Sequence, residues 1–268
     1  MKKLFAIMLA LALMLCAACA SADINVTLRE LNQARGLDKA VSHILVLMRD
    51  SMAADTLMLA SINSKTGRAV MTRVDSTREI EVDMGDGTTQ MVAIENVYDM
   101  GGKKSKGLLV CREMNELLGL DISTYVALDM EQLPEIVDAL GTLILPLDQA
   151  EAKAMDKPFD YVELTGEEVL KYVRLELEGD NAARSRCYDA LMQLIKQGVR
   201  GGDVMGLVSM GAKMLKSMDT NLNPMTAMTL VGAVQAGEDR REVYVPVICN
   251  PSKSFFTSSG LEPCTIFQ

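Results

Sequence analysis

Apolar and polar positions along the chain separate into two periods. Ile44, Leu45, Val46, Leu47 and Met48 form a short unbroken apolar run, the pattern of a strand buried on both faces, with a polar turn at Arg49, Asp50 and Ser51. Thr56 to Ile62 reads as a second strand, Asn63 to Gly67 as a turn and Ala69 to Val74 as a third strand. Ile80 to Met84 and Gln90 to Ile94 alternate apolar and polar around Gly85, Asp86 and Gly87, which predicts a hairpin.

Beyond Gly101 and Gly102 the period becomes helical. Leu108, Cys111, Met114, Leu117 and Leu118 share one helix face, and Gly119 closes the run. Tyr125 to Met130 predicts a strand, Leu133 to Leu140 a helix and Leu143 to Leu145 a strand. Thr165 and Glu168 have capping-box spacing and open a helix to about Leu177. A further helix over about Arg184 to Gln197 turns Cys187, Ala190, Leu191, Leu194 and Ile195 inward; helical stretches near 203–217 and 223–236 and a strand from Tyr244 to Ile248 follow. Residues 24–40, with Leu28, Leu31 and Leu37, read as an N-terminal helix or arm. Strands alternating with helices, with no repeat and no low-complexity linker, predict one layered α/β domain over residues 23–268.

The first 22 residues stand apart. Lys2 and Lys3 precede an apolar run from Leu4 to Ala18, and Ala20, Ser21 and Ala22 match a small-residue cleavage pattern. Cleavage as a signal peptide, retention as a membrane anchor and lipidation at Cys19 all remain open, and each leaves the domain outside the cytoplasm. The formal charge of −9 becomes −11 once Lys2 and Lys3 are removed with that segment. An acidic chain lacks the electrostatic footprint of nucleic-acid binding, so any anionic ligand must meet a local cluster of Arg or Lys. Trp is absent, aromatics make up 4%, and there are 20 Met, so the core is aliphatic and Met-filled. Such a surface also suits a flexible lipid chain.

Outside the leader lie Cys111, Cys187, Cys249 and Cys264. Four cysteines allow three pairings, of which Cys249 with Cys264 is favoured because the two flank one loop. No C-x-x-C spacing remains to suggest zinc, and the single His43 precedes an apolar strand with no triad pattern, so its expected role is structural or on the surface.

Several segments, in order, resemble the LytR–CpsA–Psr (LCP) domain. Ile44 to Ser51 is similar to its opening strand, which ends in Gly-x-Asp-Ser. Ala54, Asp55 and Thr56 resemble its Ser-Asp-Thr strand, and Tyr98 with Gly101 and Gly102 the end of its Tyr…Gly-Gly segment. Tyr125 to Asp129, Val137 to Gly141 and Thr220 to Leu222 resemble later elements, and Leu164 to Arg174 is the best match. The resemblance implies three layers, a central mixed sheet between helices, and an apolar tunnel for a prenyl chain. It implies an extracytoplasmic enzyme that transfers a polyprenyl-pyrophosphate-linked glycopolymer, teichoic acid or capsule, onto peptidoglycan at the membrane surface, with Mg²⁺ near the pyrophosphate.

Phosphoryl transfer needs cations on the pyrophosphate and a carboxylate or metal on the attacking hydroxyl. The resemblance makes Asp50 and Asp55 the catalytic and Mg²⁺-binding candidates. It makes Arg174 and Arg186 phosphate ligands, with Arg184, Arg73 and Arg78 as cations that refill positions the family fills elsewhere. Asp180 matches an Asp ahead of the second arginine run, where helix capping explains it equally. The chain departs from the family pattern at Glu95, Glu176, Ala183 and Cys187, where charged or polar site groups are expected. Two readings follow: a phosphotransferase with a rearranged site, or a fold that binds a polyprenyl lipid or glycan without turnover.

Overall fold

The computed structural model describes residues 23–31, 37–50, 53–175, 177, 183–200, 218–236 and 243–248. The leader, Glu176, Asp180 and the favoured Cys249–Cys264 pair lie outside the described residues.

A six-stranded mixed sheet forms the centre. Its strands are β1 (Val41–Asp50), β2 (Ala53–Asn63), β3 (Ala69–Val74), β6 (Thr124–Asp129), β9 (Asp219–Thr220) and β10 (Val243–Ile248), in the order β10-β3-β2-β1-β6-β9. β1 pairs antiparallel with β2 in the register Leu45↔Leu59 and Leu47↔Leu57, and parallel with β6. Two hairpins stand outside it: β4 (Glu79–Asp83) with β5 (Thr89–Ala93), and β7 (Leu143–Leu147) with β8 (Asp160–Leu164).

The helices are α1 (Ile94–Met100), α2 (Lys106–Leu118), α3 (Leu133–Leu140), α4 (Gln149–Met155), α5 (Gly166–Val173), α6 (Ala183–Arg200) and α7 (Pro224–Ala236). Strand alternation sorts them into two layers. Leu45, Leu47, Leu57, Leu59, Val70 and Val74 face a core shared with α1, α2 and the β4–β5 hairpin. Ile44, Val46, Met48, Met58, Ala60 and Met71 face the core of α3, α4, α5 and α6. The expected sheet between helices is therefore present. Among the described residues the second core holds six buried methionines, Met48, Met58, Met71, Met130, Met155 and Met192, against Met114 alone in the first. The Met-filled interior read from composition is concentrated on one face.

Three expectations are corrected, and the open choice of helix or arm for the N-terminal residues is decided as an arm. Arg49 and Asp50 are not in a turn but are the last residues of β1, whose register shifts there through a bulge. Residues 24–31 form no helix: Ile24 donates to the Met100 carbonyl and accepts from the Gly102 amide, so tertiary pairing overrides the local apolar spacing. Leu28 is exposed. The helix opened by Thr165 ends at Val173 rather than near Leu177, because Arg174 leaves helical geometry and caps it. Ile94 begins α1 instead of ending β5, with Ile94, Val97 and Tyr98 buried at helical spacing.

Candidate active site at the carboxyl ends of the central strands

β1, β3 and β6 run in the same direction, so Asp50, Val74 and Asp129 end at one edge of the sheet, where the antiparallel β2 begins. In open sheets this is the edge where ligands gather. The alternation of β1 continues to its tip. Arg49 points towards α1 and Asp50 towards α5 and α6.

Asp50 is buried to 1% side-chain exposure and accepts from Arg174 Nε at 2.8 Å. Arg174 Nη2 donates to Glu131 Oε1 at 2.6 Å, and Glu131 is 71% exposed. The two carboxylates hold the guanidinium more firmly protonated than an ordinary arginine, the Asp50 hydrogen bond contributing most. The capping box of Thr165 and Glu168 starts α5, and the helix delivers Arg174 at its C-cap.

Arg186 lies in the first turns of α6 and is 2% exposed. Its Nη2 donates to the Leu175 carbonyl at 2.5 Å, one residue beyond Arg174, and its Nη1 lies 3.4 Å from Glu151 Oε1. Glu151 belongs to the capping box of α4. Arg73, at the end of β3, lies with its guanidinium 5.6 Å from the centroid of the Tyr188 ring on α6. Next to Tyr188 on α6 is Cys187, buried, with its thiol directed at the Val173 carbonyl. Burial pushes its pKa up to about 11, against a smaller opposing effect from Thr56. Burial also raises the Asp189 carboxyl, with the charge of Glu151 adding and that of Arg73 opposing.

The structure thus joins Asp50 with Arg174, and links Arg186 and Arg73 to the same layer through α5 and α6. Arg184 lies in the first turn of α6 and Asp55 near the start of β2; their side chains are outside the described residues. Asp55 shares its strand with Ala53, which pairs with Asp50. Arg78 is not brought to the cluster: it occupies the turn between β3 and β4, where its carbonyl accepts from Ile94, on the layer of α1.

On the opposite side of β1, Arg49 pairs with Asp99 at 2.9 Å and stacks 4.2 Å from the centroid of Tyr98, and Lys106 reaches the same Asp99 at 3.1 Å. The Tyr98 and Tyr125 hydroxyls both donate to Asp219, at 2.5 and 3.0 Å. Burial first, and then Asp219, hold both phenols well above the usual range, except that for Tyr125 the Asp219 effect is chiefly coulombic. This network fastens β9 to β6 and α1.

The model of the LytR_cpsA_psr family matches residues 34–245. The chain belongs to this family. It is 24% identical over 187 residues to "Biofilm regulatory protein A" of Streptococcus mutans serotype c, a match spanning 63% of this chain and 44% of that relative's length. Among solved structures, B. subtilis TagV superposes with a TM-score of 0.62 at 17% identity, covering 78% of this chain and 85% of TagV. TagT bound to LIIa-WTA superposes at 0.59 and 18% identity, covering 83% of this chain and 86% of TagT. At these identities the likeness establishes the LCP fold.

Two members of the site escaped sequence reasoning: Glu131, the second partner of Arg174, and Glu151, the partner of Arg186. Glu131 lies two residues past a strand and carries no local signal. Glu151 carried one, its capping-box spacing with Asp148.

Among the described residues no three His, Cys, Asp or Glu side chains gather into a ready-made metal cage. Mg²⁺ does not require one, since it commonly takes one or two carboxylates and completes its octahedron with water and substrate phosphates. Among the described residues Asp50 is a buried carboxylate of the oxygen-donor type such a site uses.

Proposed function

We propose that this LCP chain acts outside the cytoplasm, where it transfers a polyprenyl-pyrophosphate-linked glycopolymer to peptidoglycan at the membrane surface. The observation that carries the reading is the Asp50–Arg174 pair at the strand edge, backed by a methionine-lined core. TagT, a fold relative, is bound to LIIa-WTA. The sequence from Lys2 to Ala22 supports export.

In this reading the acceptor hydroxyl of peptidoglycan attacks the phosphorus that carries the glycan. A new P–O bond forms, the bond to the bridging oxygen breaks, and polyprenyl phosphate leaves with its electron pair. The hydroxyl proton passes to a carboxylate, Asp50 or Asp55. Arg174, with Arg73 at the end of β3, stabilises negative charge developing on the phosphoryl oxygens. Asp50 fixes the plane of the Arg174 guanidinium, which presents paired N–H groups to phosphate. Arg184 and Arg186 contribute positive charge from the start of α6, where backbone amides also favour an anion. Mg²⁺ held by Asp50 and Asp55 would supply further charge neutralisation to the pyrophosphate.

A second reading, binding without turnover, is favoured by one observation: Arg174 is already met by Asp50 and Glu131, and Arg186 by Glu151. The purified chain, lipid-linked glycopolymer, Mg²⁺ and peptidoglycan separate the two. Release of polyprenyl phosphate with labelled peptidoglycan establishes transfer. A retained lipid with no release selects the binding reading.

A further inference from the structure

The chain enters the domain beside a run of lysines. Ile24 donates to the Met100 carbonyl at 3.0 Å, and its own carbonyl accepts from the Gly102 amide at 2.9 Å and from Ser105 Oγ at 3.0 Å. The packing is close. A Cβ on Gly102 would collide with the Asn25 side chain, and one on Gly101 with the Lys106 backbone. Lys103, Lys104 and Lys106 therefore stand where the entering segment is fastened. Lys103 and Lys104 are exposed, while Ser105 is buried.

These lysines do not serve the helix they precede. Lys106 opens α2, whose first turn has no acidic residue, and positive charge is unfavourable at that end of a helix. Lys106 is met by Asp99 and by the Tyr98 ring. Among the described residues Lys103 and Lys104 meet no carboxylate. Asp23, exposed at the entry, stands against the two of them, so the loop stays positive in a chain of formal charge −9.

The same loop lies at the sheet edge of the candidate site. Lys106 and Arg49 share Asp99, at 3.1 and 2.9 Å, and Arg49 is the chain neighbour of Asp50. The apolar run from Leu4 to Ala18 ends six residues before Ile24, a stretch that spans at most about 20 Å when extended. A leader held in a bilayer, by retention or by lipidation at Cys19, brings the loop within that reach of the headgroups.

We propose that Lys103 and Lys104 form a docking surface for anionic lipid headgroups, which turns the Asp50–Arg174 edge of the domain to the membrane. The occupant is the bilayer that holds the leader. The tether supplies the local concentration, and the lysines supply the orientation. The inference rests on the proposed transfer at the membrane surface and deepens it by naming the residues that set the domain there. The pyrophosphate of a lipid-linked donor lies where its prenyl chain leaves the hydrocarbon, so a site at this edge meets it at headgroup depth.

The test is amine acetylation of the full chain, leader included, on vesicles of phosphatidylcholine alone and of phosphatidylcholine mixed with phosphatidylglycerol. Protein that floats with the vesicles is labelled, and each lysine is read by peptide mass spectrometry. Lys103 and Lys104 are expected to react about three- to fivefold more slowly on the anionic vesicles, the scale of one lysine at such a surface, and high salt is expected to abolish the difference. Lys39 and Lys65, exposed at the opposite edge of the sheet where β1 begins, are expected to react alike on both. Lys103→Gln is expected to lessen the protection of Lys104, and Lys104→Gln that of Lys103, whereas Lys65→Gln changes neither. Equal reactivity of Lys103 and Lys104 on the two vesicle types, or slowing of Lys39 and Lys65 by the same factor, overturns the docking surface. Slowing that follows protein density instead of the anionic lipid points to contact between copies and overturns it too, as does a chain that floats with neither vesicle. None of these results touches the transfer reading, which is scored by release of polyprenyl phosphate. Protection without any such release sinks that reading and leaves the docking surface standing.

Discussion

Arg186 reaches back from α6 to the carbonyl of Leu175, the residue that follows Arg174. It thereby ties the segment bearing Arg174 to α4 through Glu151, and all of this happens at 2% exposure. Removing the guanidinium strands the buried Glu151 carboxylate and frees the C-terminal turn of α5. Arg186→Ala is expected to lower unfolding free energy by about 3–5 kcal/mol, measured by urea titration. A loss below about 1 kcal/mol would show that the pair does not anchor the segment.

Gly166 begins α5 directly against Pro134 of α3. A Cβ there would collide with the Pro134 backbone, which cannot swing aside as a side-chain tip can. Gly166→Ala is expected to destabilise by about 1–3 kcal/mol and to displace the helix that carries Arg174. The check is denaturant unfolding together with loss of pyrophosphate affinity in the folded variant.

Cys111 and Cys187 are free and buried, and burial pushes both thiols upwards, Cys187 to about 11. A thiol above its usual range stays protonated and unreactive at pH 8. Alkylation followed by peptide mass spectrometry should leave both unmodified in the native protein and label both in denaturant. Rapid native labelling of Cys187 would contradict its burial within α6.

His43 is buried in β1, with Nδ1 2.9 Å from Ser61 Oγ. Burial depresses its pKa, and the charge of Asp121 opposes that shift only partly. The unfolded chain therefore takes up the proton first as pH falls. The stability contribution of neutral His43 is full above the unfolded value of about 6.5 and is lost as pH drops towards the lower folded value. Between pH 7 and 5, wild type should lose stability faster than His43→Gln, by at most about 1.4 kcal/mol per pH unit. Parallel stability curves for the two proteins would refute the linkage.

The elements legible in the sequence were those whose burial follows one clean period. The run from Ile44 to Met48 became β1 because both faces of that strand are covered, and Leu133–Leu140 matched its helix to the residue. The face from Leu108 to Leu118 ended at Gly119, whose φ of +68° suits glycine. α4 and β8 went unread. α4 is only seven residues long, and β8 exposes Asp160, Tyr161 and Glu163 while burying Leu164, so neither carries a strong apolar signal. At the site, Asp50 and Arg174 were readable through their motifs. Their contact spans 124 positions and was not, and neither was the entry of Glu131. The periodicity of each element says which face a residue takes, whereas a site arises from where elements of distant sequence meet. Of the structural or surface role expected for His43, its burial against Ser61 decides for the structural one.

The central claim is that Arg174, set by Asp50, handles the phosphate of a lipid-linked glycopolymer during transfer. The most direct measurement is single-turnover release of polyprenyl phosphate onto peptidoglycan by wild type and by Arg174→Ala, with both confirmed folded by urea titration. The account predicts that wild type completes the turnover and that the variant is slower by on the order of a hundredfold or more, the loss expected for one preorganised charge contact in the transition state. Equal rates for the two proteins would contradict it.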